Sequence, residues 1–124
     1  MQQIKLPHDH SDLPQEHVEQ LLQQMPCEEA FGEVSELMKQ LCDRSRVRIF
    51  WLLCHCEECV INLSAMVGMS SPAVSHHLRQ LKSSGLIVSR REGKEVYYRA
   101  AQTNQAKLLH QMIEKLVEIS CPGQ

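Results

Sequence analysis

Thirty residues at positions 70 to 99, SSPAVSHHLRQLKSSGLIVSRREGKEVYYR, restrict this chain more than any other stretch, because they specify a capped helix, a stop and a two-stranded hairpin in that order. Ser70 or Ser71 suits the N-cap and Pro72 the first helical position, while Val74, Leu78 and Leu81 recur at the spacing of one buried face. The opposite face carries Ser75, His76, Arg79 and Lys82, hydrogen-bonding and cationic groups of the kind used on base edges and phosphates. Gly85 ends the helix, Ile87 and Val88 begin a strand, and Glu92-Gly93 is expected to turn the chain into Lys94 to Arg99.

Upstream, Asn62 is placed to cap a short helix from Leu63 to Val67 that Gly68 stops before the turn Met69-Ser70-Ser71. Helix, short turn and helix is the arrangement whose second helix enters a DNA major groove. Without it, residues 70 to 99 would read as a surface helix beside a hairpin. The charge distribution agrees with the nucleic-acid reading although the net charge of the chain is only −2. Residues 1 to 36 hold one Lys against eight acidic residues, whereas residues 70 to 99 hold six basic against two acidic. A surface this modestly basic implies a dimer that doubles it.

Elsewhere the chain predicts further helices. Val18, Leu21, Leu22 and Met25 line one face until Pro26 interrupts it, and Glu28 to Leu41 places Phe31, Val34, Met38 and Leu41 inward, with Leu37 widening the stripe. Asp43 caps a helix from Arg44 to about Leu53 that turns Val47, Phe50 and Leu53 to the core. Gln105 to Ile119 forms the last, with Leu109, Met112, Ile113, Leu116 and Ile119 apolar. The expected organisation is a flexible acidic arm containing histidines at 1 to 14, a single domain at 15 to 120 and a tail at 121 to 124. Apolar stripes on the first and last of these helices point to a homodimer formed through them. No apolar run approaches the roughly 18 residues of a membrane span, and the polar start is unlike a signal peptide, so a cytoplasmic location with no membrane partner is expected.

Cys54-His55-Cys56-Glu57-Glu58-Cys59 joins the third helix to the helix-turn-helix. Positions two apart diverge on a helix and converge on a strand, so Cys54 and Cys56 share a ligand only if the helix frays. Three thiolates would make a soft site for Cd(II), Pb(II), Zn(II), Cu(I) or As(III), with His55, Cys27, Cys121 or the His8/His10 arm available to complete it. The competing readings are a redox pair and plain apolar filling. Cys42 reads as core. His110 and Glu114, one helical turn apart, are a weaker candidate metal pair, more often a solvated face.

Three segments, LCDRSRVRIFWLL, SSPAVSHHLRQLKSSGLI and REGKEVYYR, carry a resemblance to the ArsR/SmtB family of small metal-sensing winged-helix repressors over roughly residues 29 to 119. The resemblance implies a mainly α fold with a β-hairpin, a winged helix-turn-helix, and a homodimer through terminal helices on an imperfect palindrome of double-stranded operator DNA. It places Ser71, Ser75, His76 and His77 on the recognition helix and Arg90, Arg91 and Lys94 on the wing. A Cys-Val-Cys-Asp box common in the family appears here as Cys59-Val60-Ile61-Asn62, its second thiol replaced from upstream by Cys54 and Cys56. The family's Asp and His after the wing correspond to Gln102 and Asn104, which are weak zinc ligands.

The resulting expectation is a repressor released from DNA when an ion occupies Cys54, Cys56 and Cys59. A thiol redox or persulfide signal on the same fold is the near alternative, and a metal-buffering protein without regulatory DNA binding is the alternative from another class. No phosphate-binding Gly loop, Ser-His-Asp framework or paired acid/base set suggests an enzyme.

Overall fold

The computed structural model describes residues 4–8 and 10–123, so Asp9 of the acidic arm and residue 124 of the tail lie outside the described residues. The chain divides into two compact units, 1–35 and 36–124. The anticipated boundary at residue 14 falls inside the first of these, which holds helix α1 (Gln15–Gln24) and the start of α2 (Glu28–Lys39). Met25 leaves α1 with an extended backbone, as the residue before a proline must. Val18 is buried, whereas Leu21, Leu22, Met25, Phe31 and Val34 are exposed in the isolated chain.

The second unit continues with α3 (Arg44–His55), β1 (Glu58–Cys59), α4 (Val60–Val67), α5 (Ser71–Ser83), β2 (Ile87–Glu92), β3 (Glu95–Ala100) and α6 (Asn104–Ser120). Asp43 caps α3 through the Arg46 amide at 3.0 Å, Ser70 caps α5 through Ala73, and Thr103 caps α6 through Ala106. These caps satisfy amides that no helical carbonyl reaches.

Ile49, Phe50 and Leu53 of α3, Leu63 and Val67 of α4, Val74, Leu78 and Leu81 of α5, and Leu109 and Ile113 of α6 close into one core with Leu86 and Ile87. Val47 packs against that core without being fully buried. Cys42, expected inside, is exposed, its thiol donating to Met38 O at 3.6 Å.

Two expectations about element starts are corrected. Helix α4 begins three residues early, with Cys59 at the N-cap, because the strand that ends there delivers extended backbone to the cap position. Asn62, expected to be the cap, instead donates its side-chain amide to Glu58 Oε1 at 3.0 Å. In the hairpin, Glu92 pairs with Glu95, so the two-residue turn is Gly93-Lys94 rather than Glu92-Gly93. Gly93 has φ 62° and Lys94 does not share it, the pattern of a turn that needs glycine first.

The sheet has the order β1-β3-β2, with Glu58 opposite Tyr98 and Cys59 opposite Tyr97. Strand β1 was not anticipated. It ties the cysteine-rich segment to the wing, and β2 and β3 are antiparallel over their whole length.

Candidate nucleic-acid interface and metal ligands

Helix α5 is fixed from both ends. At its start Ser71 Oγ meets Ser64 Oγ of α4 at 3.2 Å, and α4 itself is stopped by Gly68 at φ 68°, which sets the tight passage between the two helices. Near its end Lys82 Nζ donates to Ser89 Oγ of the wing at 2.8 Å. With Val74, Leu78 and Leu81 buried, the face left outward carries His76, Arg79, Gln80 and Lys82, with Ser71 and Ser75 half-buried beside them. Arg91 and Lys94 stand exposed on the wing. These groups share a surface with hydrogen-bonding capacity and positive charge, the composition that phosphate and base contacts require.

Two residues expected at that surface are engaged elsewhere. His77 is 8 % exposed and turned inward, where Arg46 Nε donates to its Nδ1 at 3.4 Å and Asp43 Oδ1 lies 3.7 Å from its Nε2. It follows Val74 by three positions and so falls on the buried stripe; His76, one position earlier, points out. Burial holds the His77 pKa below its ordinary value against the opposing pull of Asp43. Arg90 is clamped: its Nε and Nη2 donate to the Glu57 carboxylate at 2.9 and 2.7 Å, its Nη1 to Glu92 at 2.6 Å, and its guanidinium lies 4.8 Å from the Tyr97 ring centre. Those hydrogen bonds raise the Arg90 pKa further and lower that of Glu57.

The cysteines are not drawn together. Helix α3 stays regular through His55, leaving Cys54 helical, Cys56 extended at the C-cap and Cys59 at the end of β1. The fraying that would let Cys54 and Cys56 converge does not occur, because the Cys56 amide still bonds to Leu52 O. All six cysteines carry free thiols. Burial, aided by Glu114, pushes Cys54 up to about 11, and burial with Glu58 raises Cys56.

A different set of donors does converge. Among the described residues, His55, His110 and Glu114 form the group of three potential ligands whose donor atoms all lie within 4.8 Å of one another. The two Nε2 atoms are 3.2 Å apart and stand 3.3 and 3.0 Å from Glu114 Oε1. Trp51 Nε1 donates to the same oxygen at 2.9 Å, and its ring packs 4.3 Å from that of His55. Each half of the cluster is an i, i+4 pair, Trp51 with His55 on α3 and His110 with Glu114 on α6. The halves meet because Phe50 and Leu53 bury one side of α3 in the same core that receives Leu109 and Ile113 of α6. The Trp51 hydrogen bond, followed by those from the histidines, lowers the Glu114 pKa.

The stopped α4, the outward α5 and the paired hairpin together define a winged helix-turn-helix. Residues 43–89 match the bacterial regulatory protein, arsR family. The chain is 36% identical over 110 residues to a transcriptional repressor SmtB homolog of Synechocystis, covering 86% of this chain and 83% of that one. It is 42% identical over 65 residues to an arsenical resistance operon repressor of Escherichia coli, spanning 52% of this chain and 56% of that one. A solution structure of a homodimeric winged helix-turn-helix DNA-binding domain from Mycobacterium bovis superposes with TM-score 0.68 at 30% identity, covering 78% of this chain and 92% of that one. The chain belongs to the ArsR family of winged-helix, DNA-binding transcriptional regulators. Among the described residues no helix is long and apolar enough to cross a membrane.

Proposed function

We propose that this chain is a homodimeric repressor that places α5 in the major groove of double-stranded operator DNA and is released when a metal or metalloid ion binds. The observation that carries the reading is the capped α5, buried along Val74, Leu78 and Leu81, with His76, Arg79 and Lys82 outward and Arg91 and Lys94 beside it on the wing. Two half-sites read by two copies supply the phosphate contacts that one modestly basic chain lacks. Exposed Leu108, Leu116, Val117 and Ile119 on α6 support dimerisation through the terminal helices, and the homodimeric structural neighbour supports a dimer as such.

Relatives named for cadmium and arsenic resistance support an inducing ion of the thiophilic class, Cd(II), Pb(II), Zn(II), Cu(I) or As(III). Cys54, Cys56 and Cys59 are the thiols that precede the helix-turn-helix in the chain, and capture of an ion by all three requires loss of their protons and closure of the segment between α3 and α4. Glu57 in that segment holds Arg90 of the wing, so closure would act directly on the DNA-facing hairpin. Coupling of about 1–3 kcal/mol is enough to change operator occupancy many-fold.

Fluorescence anisotropy with labelled promoter duplex tests both parts. The metal-free chain should bind with sequence preference, and Cd(II) or arsenite should weaken binding at least about tenfold. Unchanged ion-induced release from a Cys54→Ser, Cys56→Ser, Cys59→Ser variant would remove the three thiols from the mechanism.

A further inference from the structure

We propose that His55, His110 and Glu114 form a Zn(II) site that is separate in chemistry from the cysteine segment. Two imidazole Nε2 atoms and a carboxylate oxygen make a triangle with edges of 3.0, 3.2 and 3.3 Å. Tetrahedral zinc with bonds of about 2.0–2.1 Å to nitrogen and oxygen separates neighbouring ligand atoms by roughly 3.3 Å. One face of that tetrahedron is therefore already assembled, to within a few tenths of an ångström. The donors are of the imidazole and carboxylate type that suits a borderline ion.

The hydrogen bonding inside the cluster points the same way. Glu114 Oε1 has two lone pairs and three claimants, Trp51 Nε1, His55 Nε2 and His110 Nε2. Neutral imidazoles that turn both Nε2 atoms toward one another satisfy the arrangement only if at least one holds a proton there. A cation replaces those protons and accepts both nitrogen lone pairs together with the carboxylate. The indole N–H of Trp51 then remains as the outer hydrogen bond that orients a ligating carboxylate. His55 and Glu114 are each 45 % exposed, so an ion can reach the site from solvent, and the fourth position is open to water. Cys54 precedes His55 and lines the same small cavity as His110.

The site joins the C-terminal end of α3, which leads into β1 and the wing, to α6. Its effect on DNA rests on the function proposed above; its existence does not. Trp51, the sole tryptophan of the chain, reports on it directly because its ring lies on His55 and its N–H on Glu114.

The experiment is a Zn(II) titration of the full chain, purified under reducing conditions and freed of metal, against a chromophoric chelator with Trp51 emission followed in parallel. In the Cys54→Ser, Cys56→Ser, Cys59→Ser background one equivalent per chain should bind and change the emission saturably. His55→Gln, His110→Gln and Glu114→Gln should each weaken Zn(II) at least tenfold and suppress the emission change. Glu114→Gln keeps an oxygen for the Trp51 hydrogen bond, so it isolates ligation from folding, which circular dichroism confirms. The Cys54→Ser, Cys56→Ser, Cys59→Ser variant should retain the site, and Co(II) bound to it should show ligand-field bands without thiolate charge transfer. Zinc affinity unchanged when His110→Gln and Glu114→Gln are added to the three cysteine substitutions, or lost with those three substitutions alone, would overturn the assignment. Operator binding by the metal-free chain is measured separately, so failure of the repressor reading leaves a distinct result.

Discussion

His77 shows how a single step of about 100° along a helix separates an outward-facing histidine from a structural one. Its neighbour His76 points outward from α5, while His77 sits against Asp43 and Arg46 with its charged form disfavoured by burial. A histidine whose folded pKa lies below the unfolded value of about 6.5 leaves the unfolded chain holding more protons in that range, so stability rises with pH. The contribution is complete above about pH 6.5 and is lost as pH falls below it toward the folded value. The depressed carboxylates Asp43, Glu57 and Glu114 act only lower, beginning near their unfolded range around pH 4–4.5. Urea midpoints should therefore fall between pH 7 and pH 5, and His77→Gln should flatten that slope. A parent chain whose midpoint is constant over the interval would show that His77 does not sense the interior.

The wing illustrates what pairing decides beyond the sequence of a hairpin. Basic residues at its tip suggested three cations for DNA, yet only Arg91 and Lys94 of that set are outside the clamp, because β1 lies beside β3 and Glu57 of that segment reaches Arg90. Glu57 therefore lowers the positive potential of the hairpin. Glu57→Gln removes the charge that holds Arg90 and should raise operator affinity a few-fold, with a steeper dependence on salt by roughly one unit for each additional phosphate neutralised. Anisotropy titrations at several salt concentrations give that slope; an identical slope in parent and variant would mean that Arg90 stays sequestered by Glu92. The strand itself was illegible in advance because two residues carry no alternation to read, and its existence depends on a β3 edge some forty residues away.

Helix α6 carries two apolar stripes, and the single chain buries only one. Ala106, Leu109 and Ile113 face the core with Met112 packed against it, whereas Leu108, Leu116 and Ile119 are exposed, although Leu116 and Ile119 were expected with the apolar face. Adjacent helical positions differ by about 100°, which is why 108 and 109 part company. A carboxylate placed in the outer stripe would be desolvated by a second copy, so Leu108→Glu combined with Ile119→Glu should give a monomer. Sedimentation would report the mass, and operator affinity should drop at least about tenfold as the second half-site contact is lost. A dimer of normal stability in the variant would place the interface elsewhere.

The sequence alone established what depends on neighbours within a few turns: a cap at Asp43 and one at Ser70 or Ser71, the stops at Gly68 and Gly85, the buried stripe of α5 and the hairpin that follows. Such features rest on local backbone chemistry and helical period, which a chain carries in its own order of residues. Tertiary packing decided the sites. It kept α3 helical through His55 and so held Cys54 apart from Cys56, turned His77 inward, and set His55 against His110 and Glu114 across a core that no short spacing encodes.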